Sequence, residues 1–195
     1  PAAVSPATIR LELPLAAGLS LTATDPAARF ALSPDGRRIA FVASSGNGPS
    51  MLWVRFLDTL STQPIAGTDG ASYPFWSPDS QSIAYVARPS SQNVGSPGTL
   101  RRVDVSGGRP VMLADRAFSA TGAWGPGDVI LFTPTGNSPL HRVSASAPGP
   151  PAAVGGLDAG SGEVQHCFPS FLPDGRHFVY TSLGSRTAAN DARGV

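Results

Sequence analysis

One thirteen-residue pattern constrains this chain more than any bulk property, because it occurs several times. It stands in full at Phe75-Trp76-Ser77-Pro78-Asp79-Ser80-Gln81-Ser82-Ile83-Ala84-Tyr85-Val86-Ala87. Pro78 presets φ for the second position of a type I turn, Asp79 suits the third, and the Ser77 hydroxyl can cap the corner. The run Ile83-Ala84-Tyr85-Val86 that follows is apolar on both faces, as in a strand held between two packed sheets. The pattern therefore reads as a β-hairpin. Leu32 to Ala43 is a near copy, Phe171 to Thr181 another, and Trp124 to Thr133 a worn member that has lost the Asp-Gly order. Aligned on Leu32, Trp76, Trp124 and Phe171, the copies are 44, 48 and 47 residues apart. One apolar-cored hairpin per unit of that length is the signature of a propeller blade.

The expected fold class is all-β: a partial β-propeller of about three and a half four-stranded blades, truncated at both ends. The expected division is a lead-in with one strand over 1–28, then blades over 29–68, 69–117 and 118–156, and an incomplete fourth over 157–195. In the lead-in, Ile9 to Leu15 alternates apolar and polar residues, the period of a half-buried strand that could close a ring. In the first blade the strands are expected at Arg29–Leu32, Arg38–Ala43, Leu52–Leu57 and Gln63–Ile65. Pro64 fits only an outer edge. The second blade is expected at Tyr73–Trp76, Ser82–Ala87, Thr99–Val105 and Arg109–Leu113, with Ser106-Gly107-Gly108 as a tight turn. The third is expected at Gly122–Trp124, Asp128–Thr133, Leu140–Ala145 and Ala152–Val154, and the fourth at Pro169–Phe171 and His177–Ser182. No stretch has helical periodicity. The 22 glycines and 20 prolines fall between apolar runs and punctuate short strands. Four sheets in a row cannot cover their own end faces, so bare apolar surface is expected at both ends.

Composition excludes more than it assigns. A net charge of +1 gives no case for nucleic acid, and all 14 basic residues are Arg. No run of about 18 apolar residues exists, so no membrane contact by this segment is expected. Cys167 stands alone and cannot form an internal disulfide. Although His166 and Glu163 are near it, a half-buried structural thiol just before an inner strand is the simpler reading. There is no G-x-S-x-G elbow, no P-loop, no H-E-x-x-H and no Cys/His spacing for zinc. No catalytic residue, metal ligand or cofactor is assigned. His177 is placed on a strand as a structural histidine, and Asp35 and Asp174 as turn formers.

In a propeller, the outer-to-next-inner loops and the second-to-third-strand loops gather on one face around the channel, where ligands sit. Here those are Ala66–Ser72, Ala114–Thr121 and Gly155–Cys167, with Ser44–Ser50 and Arg88–Gly98. They place Asp69, Arg88, Asp115, Arg116, Asp158, Glu163 and His166 as candidate ligand-binding residues, individually solvated charges but together able to line a polar pocket. The expected partner is a small ligand or a protein on that face, with the rest of the propeller in cis.

The pattern [Trp/Phe/Leu]-Ser-Pro-Asp-Gly, a polar pair and Ile-Ala-[Phe/Tyr]-Val resembles the TolB-type β-propeller repeat, at Leu32–Ala43 and Trp76–Ala87. A longer succession is similar to the C-terminal propeller of bacterial membrane-anchored serine/threonine protein kinases. It runs through Leu52-Trp53-Val54-Arg55, Gly67-Thr68-Asp69-Gly70-Ala71, Pro74 to Asp79, Val103 to Gly108 and Pro169 to Phe178. That resemblance implies a non-catalytic, extracytoplasmic sensor or interaction module. No kinase motif occurs in the chain, so no kinase residue carries over. A TolB-like periplasmic docking propeller and the propeller of a prolyl-oligopeptidase-family hydrolase are the alternatives.

Overall fold

The computed structural model describes residue 12 and residues 14–21, 30–88, 96–118 and 122–184. They form four antiparallel sheets taken in chain order. The first contains β1 (Leu19–Ser20), β2 (Phe30–Leu32), β3 (Arg38–Ser45), β4 (Met51–Phe56) and β5 (Thr62–Pro64). The second contains β6 (Ala71–Trp76), β7 (Ser82–Ala87), β8 (Gly98–Asp104) and β9 (Val111–Ala117). The third contains β10 (Ala123–Trp124), β11 (Val129–Phe132), β12 (His141–Ser144) and β13 (Ala152–Ala153). The fourth pairs β14 (Glu163–Phe171) with β15 (Phe178–Gly184). Short 3₁₀ turns at Pro126–Asp128 and Ala159–Ser161 are the helical elements among the described residues. None is long and apolar enough to cross a membrane. The all-β propeller architecture expected from the repeat is present.

The Pro-Asp corners are built as their residues require. The Ser80 N–H donates to the Ser77 carbonyl at 2.9 Å, and Ser77 and Ser82 close the hairpin through Ser77 N–H to Ser82 O, also at 2.9 Å. The Ser77 hydroxyl accepts from the Ser82 N–H at 2.8 Å, and the Asp79 carboxylate accepts from the Gln81 N–H at 3.0 Å. The same bonds recur in the first blade, with Gly36 N–H to Ser33 O at 2.8 Å and Arg38 N–H to the Ser33 hydroxyl at 2.9 Å. The fourth corner position is left-handed in each copy: φ is +69° at Gly36, +61° at Ser80 and +65° at Gly175. Ser80 bears strain that glycine avoids. Its hydroxyl accepts from the Asp35 N–H at 3.1 Å, tying two blades together.

Neighbouring sheets pack face to face. Ala40, Val42, Leu52, Val54 and Ile65 of the first meet Ala71, Trp76, Ile83, Tyr85, Ala87, Val103 and Val105 of the second. Ala84, Val86, Leu100, Leu113 and Ala114 of the second meet Ile130, Phe132 and Val143 of the third. Alternate residues of β7 thus enter opposite cores, which is why its sequence is apolar without alternation. Each fully buried aliphatic side chain contributes about 1.5–3 kcal/mol. Hydrogen bonds also span one repeat: Trp76 Nε1 to the Ala31 carbonyl at 2.9 Å, and Arg102 Nε to the Ala145 carbonyl at 2.8 Å.

Four expectations are corrected. Glu12 and Pro14 to Ala16 are not in a strand, and Leu11 and Leu13 and the residues before them lie outside the described residues. The lead-in instead contributes β1, which pairs Leu19 with Ser45 beyond the end of β2, so two short strands share the inner position of the first blade. Pro14 and Leu15 continue over the bare face of that blade, where the Arg55 guanidinium donates to the Pro14 carbonyl at 2.6 Å. The outer strand β9 begins at Val111 and runs to Ala117, because Gly107 and Gly108 (φ +97° and +123°) prolong the turn and Pro110 has no donor. The inner strand β14 starts at Glu163, six residues before Pro169, so Glu163, His166 and Cys167 belong to a strand and not to a loop. His177 precedes β15 in the turn, with 75% of its side chain exposed and its ring bonded to the Asp174 carboxylate.

Candidate functional site

Three connections converge at one end of the first two blades: Pro49 between β3 and β4, Asp69 and Gly70 between β5 and β6, and Arg88 and Pro97 between β7 and β8. With Ala87, Gly98, Thr99, Arg101 and Asp115 they line an open basin of about 510 Å³. The basin brings together Asp69, Arg88 and Asp115 of the candidate residues. The backbone packing along its wall depends on glycine. A Cβ on Gly70 would lie 1.8 Å from the Arg88 carbonyl oxygen, and one on Gly98 2.4 Å from the Ala87 oxygen. Gly70 also has φ +74° and accepts from the Arg88 N–H at 3.0 Å. Only a residue without a side chain lets these two backbones meet there.

Arg101 is the residue that sequence reasoning missed. It lies inside β8 and not in a connecting loop. The signal was the doublet Arg101-Arg102, since consecutive strand residues point to opposite faces. Arg102 turns toward the third blade, bonded to the Ala145 carbonyl and 3.4 Å from the Asp104 carboxylate. Arg101 turns to the basin, its Nε–H held at 3.1 Å by the Thr99 hydroxyl. Its cross-strand neighbour on β7 is Tyr85, fully buried, whose hydroxyl has no hydrogen-bond partner among the described residues. An unpaired buried hydroxyl costs about 1–3 kcal/mol. Burial, opposed by the positive charge of Arg101, pushes the Tyr85 hydroxyl up to about 12. Burial likewise lowers Arg88.

A second constellation forms around Glu163. A bulge between Glu163 and Gln165 breaks strict alternation, so Glu163 and His166 reach each other: His166 Nε2 lies 2.9 Å from Glu163 Oε2. The same oxygen accepts from the Asp158 N–H at 2.8 Å, and Oε1 accepts from the Ser182 hydroxyl at 2.7 Å. Asp158 caps the 3₁₀ turn by accepting from the Gly160 N–H. These donors, the Asp158 N–H first, hold the Glu163 carboxyl down to about 2. Tyr180 stacks on His166, with ring centroids 4.5 Å apart. The serine is bonded to the carboxylate and not to the imidazole, so the three do not form a Ser–His–carboxylate relay. Cys167 is buried, and burial raises its thiol, which suits a structural role. Arg116 stands apart from both groups, exposed on β9. Among the described residues no three His, Cys, Asp or Glu side chains are grouped to hold a metal ion.

No protein-family model matches the chain, and no curated protein matches it. Solved structures do. A structure described as TolB from Agrobacterium tumefaciens superposes with a TM-score of 0.65 at 20% identity, over 81% of this chain and 55% of that one. A prolyl endopeptidase superposes at 0.56 and 17% identity, over 85% of this chain and 25% of its own. The acylaminoacyl peptidase of Pyrococcus horikoshii gives 0.52 and 16%, over 82% and 28%. The chain therefore has a TolB-like β-propeller fold, and it spans about half of the TolB structure and about a quarter of each peptidase. At these identities the likeness establishes the fold.

Proposed function

We propose that this chain is a non-catalytic binding module whose ligand occupies the basin bounded by Asp69, Arg88, Arg101 and Asp115. The single observation that carries this is convergence: loops of two adjacent blades and the inward arginine of β8 meet around one polar cavity of about 510 Å³. That volume falls in the range of small-molecule sites, about 300–1,000 Å³. The Glu163 group is assigned a structural role, since both carboxylate oxygens of Glu163 are engaged by its own blade and the turn before it. Isothermal titration against a small-molecule library tests the reading. Arg101→Gln and Asp115→Asn should weaken binding, while Arg116→Ala should leave it unchanged. Binding insensitive to the first two substitutions overturns it.

The parent protein we infer is a membrane-anchored bacterial serine/threonine kinase, with this propeller as its extracytoplasmic sensor. The support is the succession from Leu52 through Phe178 that resembles such propellers. A TolB-like periplasmic docking propeller is the second reading, favoured by the 0.65 superposition. The coding sequence on either side decides between them. A kinase domain and one membrane helix upstream fit the first, and a secretion signal with a small α/β domain upstream fits the second. An α/β-hydrolase domain downstream would replace both with a peptidase propeller.

A further inference from the structure

Arg101, Asp69 and Asp115 line the basin, yet they are not paired with one another. The ion pairs among the described residues are Arg38–Asp35, Arg102–Asp104, His166–Glu163 and His177–Asp174. Arg101, Asp69 and Asp115 take part in none of them, although all three border one cavity. Arg102, one residue along the same strand, has its carboxylate within 3.4 Å, so β8 holds one satisfied and one waiting guanidinium. Thr99 holds Arg101 by its Nε, and no hydrogen bond or ion pair among the described residues engages its terminal nitrogens, which leaves them able to receive a carboxylate bidentately. The lining sets Arg101 against Asp69 and Asp115. A simple anion would satisfy Arg101 and face both aspartates. A simple cation would have the converse difficulty. A ligand that carries both charges meets both.

We propose that the basin takes a small zwitterion with a free ammonium and a free carboxylate, a free α-amino acid or a dipeptide. Arg101 binds the carboxylate, and Asp69 and Asp115 bind the ammonium. The assignment rests on the reading of the basin as the ligand site and adds to it the ligand's charge pattern. The glycines at 70 and 98 let the backbones of Arg88 and Ala87 approach closely, which fixes the wall that Arg101 and the aspartates border.

Titration calorimetry on the intact chain tests this with four probes: L-alanine, L-alanyl-L-alanine, its N-acetyl derivative and its C-terminal amide. The zwitterions should bind, and blocking either end should weaken the dipeptide about tenfold or more, as for loss of one charge-assisted contact. Arg101→Gln should erase the preference for a free carboxylate over the amide, and Arg101→Lys should restore part of it. Asp69→Asn with Asp115→Asn should erase the preference for a free amine over the N-acetyl form. Far-ultraviolet circular dichroism confirms that each variant is folded. If the N-acetyl dipeptide binds as well as the parent and Arg101→Gln abolishes both, the zwitterion assignment fails while the basin stands as an anion site. If none of the four binds, the assignment fails and a library ligand remains to be found for the basin. If a probe binds but ignores every basin substitution, both readings fall.

Discussion

The second and fourth blades carry nearly the same hairpin and treat it differently. In β7 all six residues from Ser82 to Ala87 are buried. In β15 none of the seven from Phe178 to Gly184 is, and Val179, Tyr180 and Leu183 are about 40% exposed. The corners match: Gly175 N–H to Leu172 O at 2.9 Å repeats Ser80 N–H to Ser77 O. What differs is company. The second blade has a sheet packed on each face, whereas the described residues cover the fourth on one face only, through Phe171 against Gly125. A local pattern makes the strand, and the neighbours make it a core.

The comparison can be broken most forcefully at apolar positions of β7 and β15. Ile83→Ala should cost about 2–5 kcal/mol, because it opens a cavity between two sheets. Val179→Ala should move stability by no more than about 0.5 kcal/mol. Urea unfolding midpoints decide, and equal shifts would mean that the fourth blade is as enclosed as the second. Next in size is Ser77→Ala, which strips a fully engaged hydroxyl from the second corner and should cost about 1–2 kcal/mol in the same assay. The fourth corner has Leu172 in its place and relies on Asp174 instead.

That reliance predicts a difference in acid. Asp174 and Glu163 are both held down to about 2, Asp174 chiefly by His177 and Glu163 chiefly by the Asp158 N–H. Carboxyls depressed in the fold stabilise it fully above their ordinary values near 4, and that share is lost as pH falls toward 2. The second blade has one such corner group, Asp79, held below its ordinary value chiefly by the Ser77 hydroxyl. Hydrogen exchange followed between pH 5 and 2 should show β14–β15 losing protection before β6–β9. Glu163→Gln should flatten that dependence. The smallest effect is expected at Ser80→Gly. It relieves a left-handed side chain and loses the bond to the Asp35 N–H, so the net change should stay within about 1 kcal/mol. A larger loss on thermal melting would make the inter-blade bond the stronger term.

Much of the fold was legible because its signals are local. Pro78-Asp79 and Pro34-Asp35 mark corners by their own backbone limits, and Ile83 to Val86 announces a strand buried on two sides. Strand ends were less legible. Glu163 to Cys167 looked like loop because its Gly-rich approach and Pro169 suggested a late start, yet pairing with β15 extends β14 across both bulges. The candidate residues divided in the same way. Loop topology put Asp69 and Arg88 on the face where the basin lies, whereas Arg101, which also lines it, was hidden by lying mid-strand.

The sequence alone determined the repeating hairpin, its corner chemistry and the number of sheets, since each depends on contacts within a few residues. Tertiary structure decided which apolar strands became interior, which of two adjacent arginines reached a partner, and which charges from separate blades came to share one cavity. Those outcomes depend on how rigid sheets stack, and stacking joins residues a whole repeat apart whose individual side chains hold no record of one another.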